Sequence, residues 1–414
     1  MVTRDDKKLL ALRDPSGISE AVATLSPELV AVVEMFDGAS TRDQICQRFA
    51  EKRLGVLDRA TLDHLIGELD RALLLDSDHF REHAARQMSD FMMSDIRPAA
   101  FAGRSYPADA QELSASLDAA FAPPLGPGSI DPAIDPGEGV LPRAIVAPHI
   151  DFHRGAPSYA WAYRPLMMST QTPDRIVIFG TNHNGLEPFA FTRKRYQSPL
   201  GQFETDVAFV DAIEYRVRAE LGSDAAQSLF SDEIHHRSEH SIEFQTVWLS
   251  HVLGDRARDV KLVPILCGSF HEFVSGNRSL TESRLVALVL SEVARLSSDQ
   301  TLLVAGADLA HVGPRFGDGK PFGALEKINL EARDRQTMTA LATGHAQSWF
   351  AEIQSEADAR RVCGLSPIYS MLAAAQPPLE HGALVSYAQC PADDENASWV
   401  SIASMIFPAI FPAK

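Results

Sequence analysis

Hydrophobic and polar positions alternate with two different periods along this chain. Over residues 1–95 the apolar positions recur at helical spacing. Ser26-Pro27-Glu28 reads as a helix start, with Ser as N-cap and Pro at the first helical position. Leu29, Val32, Val33 and Phe36 then share one face until Asp37-Gly38 stops the run. A second helix is expected to open at Ser40 and Asp43 and to carry Ile45, Cys46 and Phe49. A third, over residues 59–72, carries Leu62, Leu65, Ile66 and Leu69, and Leu73-Leu74-Leu75 is expected to follow as a short strand. Residues 1–95 thus predict a small helical, winged-helix-like domain.

Beyond a loop and an amphipathic helix in residues 98–122, the Pro/Gly-rich stretch 123–140 has no period and reads as a linker. Short apolar runs then alternate with helical patterns. Residues 144–147, 175–180, 260–266, 302–305, 383–388 and 400–405 are strand candidates. Helical patterns lie near 206–220, 239–253, 281–296 and 324–343. Such alternation predicts an α/β domain over 96–414, a mixed sheet with helices on both faces.

The chain has 414 residues, 45% hydrophobic and 22% charged, which is enough for two domains with a full core. Its 55 acidic residues against 38 basic ones give a formal charge of −17. Residues 1–95 carry 12 basic and 18 acidic residues, a net of −6, so the N-terminal helices lack a basic footprint for phosphate. Nucleic acid and anionic membrane surfaces are therefore not expected partners. The opening residues show no secretory pattern, and no run of about 18 apolar residues occurs. Cys46, Cys267, Cys363 and Cys390 form no CxxC pair; reduced thiols and a cytoplasmic location are expected.

Ligand groups in open α/β sheets collect beyond the carboxyl ends of strands. Four polar clusters occupy such places or the loops beside them: Pro148-His149, Gly180-Thr181-Asn182-His183-Asn184, Asp308-Leu309-Ala310-His311, and Arg361-Val362-Cys363-Gly364. Two neutral imidazoles and one thiolate would make a three-ligand metal site with open positions. Imidazole suits Fe, Cu, Zn and Ni, while thiolate favours softer or redox-active metals. His311 or Asp308 would then serve as acid–base or orient a ligand imidazole. The stretch 232–243 is the richest in titratable groups. There Ser238 is expected to cap a buried helix, whose N-terminal Glu239 and His240 would aim at whatever lies above the sheet. Asn182 and Glu239 are assigned to substrate contact. Neither a Gly-x-Ser-x-Gly elbow nor a phosphate-binding GxxxxGK[ST] loop occurs.

The segments AGRSYP (Ala102–Pro107), IVAPHID, FGTNHNG, SEHSIEFQ, VPILCGSF, GADLAHVGPRF, VCGLSP and SYAQC together resemble the Memo family, called AmmeMemoRadiSam system protein B in prokaryotes. The resemblance implies a fold similar to class III extradiol dioxygenases, which are non-haem iron enzymes. It places the family's metal ligands on His149, His183 and Cys363, with its nearby aspartate and histidine on Asp308 and His311. A cysteine departs from the two-His-one-carboxylate dioxygenase pattern, so ring cleavage does not transfer by analogy. The family name implies a radical-SAM enzyme as a partner. Residues 1–95 fall outside this resemblance and are weakly similar to PqqD-like peptide-recognition modules.

Two functions follow as expectations. One is a mononuclear metal enzyme, dioxygenase-like or otherwise oxidoreductive, acting on a small molecule or peptide. It would hold one divalent Fe(II), with Cu or Zn as alternatives and a hydrolytic Zn site as a lesser reading. His149, His183 and Cys363 would be ligands, His311 the acid–base, and Asp308 and His240 supporting groups. The other is a non-catalytic peptide- or protein-binding module working with the radical-SAM partner.

Overall fold

In the strand at Arg175–Thr181, Ile176 and Ile178 face one way while Val177 and Phe179 face the other, and all four are fully buried. A strand apolar on both faces needs a layer on each side. The sequence supplies both layers. A computed structural model describes residues 2–4, 7–14, 18, 19, 21–128, 141–276 and 279–408. They form two compact units, Met1–Met93 and Ser94–Lys414.

The larger unit is an α/β domain around an 11-stranded mixed sheet. Its centre runs, in spatial order, Trp399–Phe407, Ala144–Ala147, Thr301–Gly306, Arg175–Thr181 and Lys261–Cys267. The last four are mutually parallel; Trp399–Phe407 is antiparallel to its neighbour. One apolar cluster lies on each face. One is packed by helices Val207–Leu221, Arg284–Leu296 and Leu365–Ala373; the other by Phe152–Met168 and His240–Leu253. The strands and helices expected from the sequence fall within a few residues of the observed ones, whereas helix Phe152–Met168 and the short strands Phe189–Phe191, Arg195–Ser198 and Gly201–Thr205 had no counterpart in the pattern. Residues 129–140 of the expected linker lie outside the described residues.

Strand order decides where chemistry can sit. From Ala144–Ala147 the chain skips one position to Arg175–Thr181, moves outward to Lys261–Cys267, and returns to fill the gap with Thr301–Gly306. Connections leaving such neighbours in opposite senses open a crevice at their carboxyl ends. Pro148-His149, Asn182-His183 and Ala307-Asp308 follow those ends directly.

The N-terminal unit carries strands at its start that the helical pattern did not predict. Three antiparallel strands, Val2–Arg4, Lys7–Arg13 and Val22–Leu25, precede the helices. Helices Pro27–Val33, Arg42–Glu51 and Arg59–Arg71 pack around Val32, Ile45, Phe49, Leu62, Leu65 and Leu69, and a fourth spans Asp78–Met93. Ser26 caps the first helix as expected. The second is capped by Thr41, whose side chain and that of Gln44 bond reciprocally, so the capping box starts one residue after Ser40. Leu73-Leu74-Leu75 forms no strand: Leu73 sits in the left-handed region (φ 56°) and turns the chain after the third helix.

No helix among the described residues is long and apolar enough to cross a membrane. The four cysteines are free thiols.

Candidate metal centre

His149, two residues past the Ala144–Ala147 strand, is fixed by its neighbours on the sheet. Its backbone N–H and that of Ile150 donate to Oδ1 of Asp308, at 2.7 and 3.2 Å. Its ring Nδ1 donates to the Gly306 carbonyl, 2.9 Å away. A carbonyl only accepts, so the ring proton belongs on Nδ1 and the lone pair on Nε2. That lone pair faces the Cys363 sulfur at 3.3 Å.

His183 follows the next strand but one in the spatial order. Its Nδ1 lies 3.0 Å from Oε2 of Glu239, which also accepts the His183 backbone N–H at 3.2 Å. The other carboxylate oxygen accepts the backbone N–H groups of His240 and Ser241, at 2.8 and 3.1 Å, and lies 3.1 Å from Nδ1 of His240. Glu239 is therefore itself the N-cap of helix His240–Leu253, not Ser238 as the sequence reading had it. One buried carboxylate aligns two imidazoles. The rings of His183 and His240 stack at 5.1 Å, and His149 meets each edge-on at 5.1 and 5.2 Å.

The electrostatics follow from burial and these pairs. Burial by itself pushes the Glu239 carboxyl up, but the His183 and His240 imidazoles outweigh it and hold Glu239 well below its ordinary range. His183 is raised, because Glu239 beside it overcomes the cost of burying a charge. His149 is driven well below its ordinary value by burial and by the two neighbouring imidazoles. Burial raises the Asp308 carboxyl and the Cys363 thiol.

Two groups have metal-ligand geometry: His149 with His183 and Cys363, and His183 with Glu239 and His240. In each, one donor atom per residue lies within 4.8 Å of the others. Ligands about 2.0–2.3 Å from one ion stand roughly 3.0–3.7 Å apart. The 3.3 Å between His149 Nε2 and Cys363 Sγ meets that requirement. The first group keeps its imidazole Nδ1 atoms on acceptors, which is how ligand imidazoles are usually oriented. The second uses Glu239 as that acceptor. The donor set fits a borderline-soft transition metal through the first group.

The remaining site residues fall around this triad. Asp308 serves the His149 backbone, with its second oxygen 3.8 Å from His149 Nε2. His311 donates from Nδ1 to the Leu309 carbonyl at 3.2 Å and packs edge-on against Phe316. Burial pushes it down to about 4, with Asp308 opposing that shift. Asn182 lines a cavity beside His183 and Cys363, and neither atom of its amide has a hydrogen-bond partner. His235 and His236 do not join: His236 is buried between the Tyr196 hydroxyl and the Ala190 carbonyl.

A buried clamp whose pairing no local sequence pattern announces lies beneath the site. Arg97 and Glu243 are both fully buried and paired. Arg97 donates to the Glu239 carbonyl at 2.8 Å and the His236 carbonyl at 2.7 Å. Glu243 accepts the Ala100 and Phe101 N–H groups and the Tyr106 hydroxyl. Tyr106 thus also belongs to this network. The available signal was a lone acid inside an otherwise apolar helix; its distant arginine had none.

A family profile for Memo-like protein matches residues 97–406. The chain belongs to the Memo family. A MEMO1 family protein of Aquifex aeolicus is 24% identical over 355 residues, covering 85% of this chain and 83% of the relative. Another from Methanopyrus kandleri is 32% identical over 220 residues, 53% of this chain and 70% of its own. A third, from Aeropyrum pernix, is 30% identical over 275 residues, 66% and 85% of the two chains. The Memo profile begins at Arg97, the first residue of the clamp, and includes every residue of the candidate centre.

Proposed function

We propose that this Memo family chain is a metal-dependent oxidoreductase, dioxygenase-like in its use of a mononuclear centre, with Fe(II) held by His149, His183 and Cys363. The observation that carries the reading is the convergence of two Nδ1-anchored imidazoles and one sulfur at the sheet's switch point. Bound there, the ion would supply Lewis acidity and one-electron chemistry at open coordination positions.

The protein's own groups do the rest. Glu239 and the Gly306 carbonyl hold the ring protons of His183 and His149 away from the ligand face. Because His183 is raised, a metal competes with a proton at its Nε2. Asp308 fixes the His149 backbone and so aims the ring. His311, with Nδ1 on the Leu309 carbonyl, stays neutral at pH 7 and offers Nε2 as a proton acceptor. His240, aligned by the same carboxylate as His183, is assigned to support of the reacting group.

Anaerobically purified protein should retain close to one iron per chain, measured by elemental analysis, and lose it in His183→Ala and Cys363→Ala. Oxygen uptake against catechol-like compounds then tests turnover. Full metal retention in a His149/His183/Cys363 triple alanine variant would overturn the assignment. Zinc in place of iron in protein from the native host would redirect it to hydrolysis.

A further inference from the structure

A cavity of about 270 Å³ borders two of the three proposed ligands, His183 and Cys363, and its wall also includes Asn182, Asp358, Arg361 and Ser366. Pockets for drug-sized ligands start at about 300 Å³, so this one suits a molecule the size of an amino acid. Its polar groups are incompletely used. Asn182 is only 4% exposed, yet neither its amide oxygen nor its nitrogen has a partner. Leaving a buried donor and acceptor unmade is costly unless something else supplies the bonds.

Arg361 is tied at two of its three nitrogens. Nε donates to the His311 carbonyl at 2.9 Å, and Nη2 to both oxygens of Asp318 at 2.7 Å. Nη1 has no partner among the described residues. Asp358 accepts the Val362 N–H on Oδ1 at 2.8 Å and keeps its second oxygen unpaired among the described residues. Ser366, in the first turn of helix Leu365–Ala373, brings a hydroxyl and the positive end of that helix to the same wall. The cavity wall therefore combines a guanidinium with one free nitrogen, an unpaired amide side chain, a helix N-terminus and an acceptor carboxyl.

We propose that this cavity is a subsite for a small carboxylate bearing a hydrogen-bond donor on the adjoining carbon, an α-hydroxy or α-amino acid. The carboxylate would take the single free nitrogen Arg361 Nη1 and the Asn182 amide nitrogen, which is closed off from solvent and would turn into the cavity to make the bond, giving up no existing partner. The neighbouring hydroxyl or ammonium would take the free Asp358 oxygen. This deepens the proposed function by naming its substrate class. It rests on that reading only for the statement that such a ligand lies beside the metal.

The test is calorimetric titration of the full, metal-free chain with mandelate, mandelamide and phenylacetate. Mandelate should bind at least about ten-fold tighter than the other two, which lack the charge or the donor. Arg361→Met should weaken mandelate by a similar factor. Because that change also releases the His311 carbonyl, Asn182→Leu is the second variant; it removes no existing side-chain hydrogen bond and should weaken mandelate at least about five-fold. Equal binding of acid and amide, no binding of mandelate, or wild-type affinity in Asn182→Leu would each overturn the subsite. Iron stoichiometry of anaerobically purified, iron-supplied protein is read separately. Selective mandelate binding without iron loading would defeat the metal assignment and leave the subsite standing; iron loading without selectivity would do the reverse.

Discussion

The Cys363 sulfur lies 3.3 Å from Nε2 of His149 across 214 positions of chain. The approach depends on Gly364, whose N–H donates to the Asp308 carbonyl at 3.0 Å and draws the cysteine loop against the end of the Thr301–Gly306 strand. A Cβ at Gly364 would come 2.5 Å from that same carbonyl oxygen. The loop and the strand end are thus locked together by a residue with no side chain.

Glu239 is the common acceptor for His183 and His240, so Glu239→Gln puts an amide donor against one of two ring N–H groups. One ring must then turn or change tautomer. Iron affinity is expected to fall about 10–100-fold, as for other changes to groups orienting metal ligands. Competition with a chromophoric chelator measures it, and circular dichroism verifies that the fold persists.

Arg97 and Glu243 are a fully buried ion pair beneath the start of helix His240–Leu253. Removing one partner strands the other charge, so Arg97→Met or Glu243→Leu alone should cost about 3–5 kcal/mol in urea unfolding. The double variant should cost clearly less than the sum. Additive losses would mean the two charges act independently.

Helix His240–Leu253 approaches the sheet at two glycines. A Cβ at Gly180 would lie 2.6 Å from Ile242 and Ser241 side-chain atoms, and one at Gly306 would lie 2.5 Å from the Ser241 backbone oxygen. Gly306→Ala should destabilise by about 2–3 kcal/mol and displace the carbonyl that anchors His149. Iron affinity should fall with it, whereas Gly319→Ala, in open space, should leave both unchanged.

His236 is held neutral: its Nε2 donates to the Ala190 carbonyl and its Nδ1 accepts from Tyr196. Burial pushes it down from 6.5 to about 3. Between these values the unfolded chain binds the extra proton and the folded one does not, so stability falls as pH drops from about 6.5 toward 3. The single group contributes on the order of 1.4 kcal/mol per pH unit in that window. Urea midpoints at pH 7, 6, 5 and 4 report the slope. His236→Gln should flatten it, even though the variant starts less stable.

Much of the α/β domain was legible in the residues themselves. Apolar runs such as Arg175–Thr181 and helical stripes such as Arg284–Leu296 have local periods, and local periods survive tertiary packing when both faces are buried. The candidate ligands His149 and His183 were legible for a related reason. Polar groups that follow an apolar strand directly must lie at the sheet's rim, wherever the strands end up.

What the residues could not announce were pairings made across the fold. Arg97 and Glu243 are separated by 146 positions, and no local pattern couples them. The N-terminal strands escaped because Lys7–Arg13 pairs on both sides with neighbours rather than showing a clean alternation of its own. Glu239 became the helix cap, in place of Ser238, because its carboxylate also had two imidazoles to satisfy. The chain by itself determined its elements and the chemistry at their ends. Strand order, and with it which ends share a crevice, was decided only by packing, because that order is set by contacts between residues far apart in sequence.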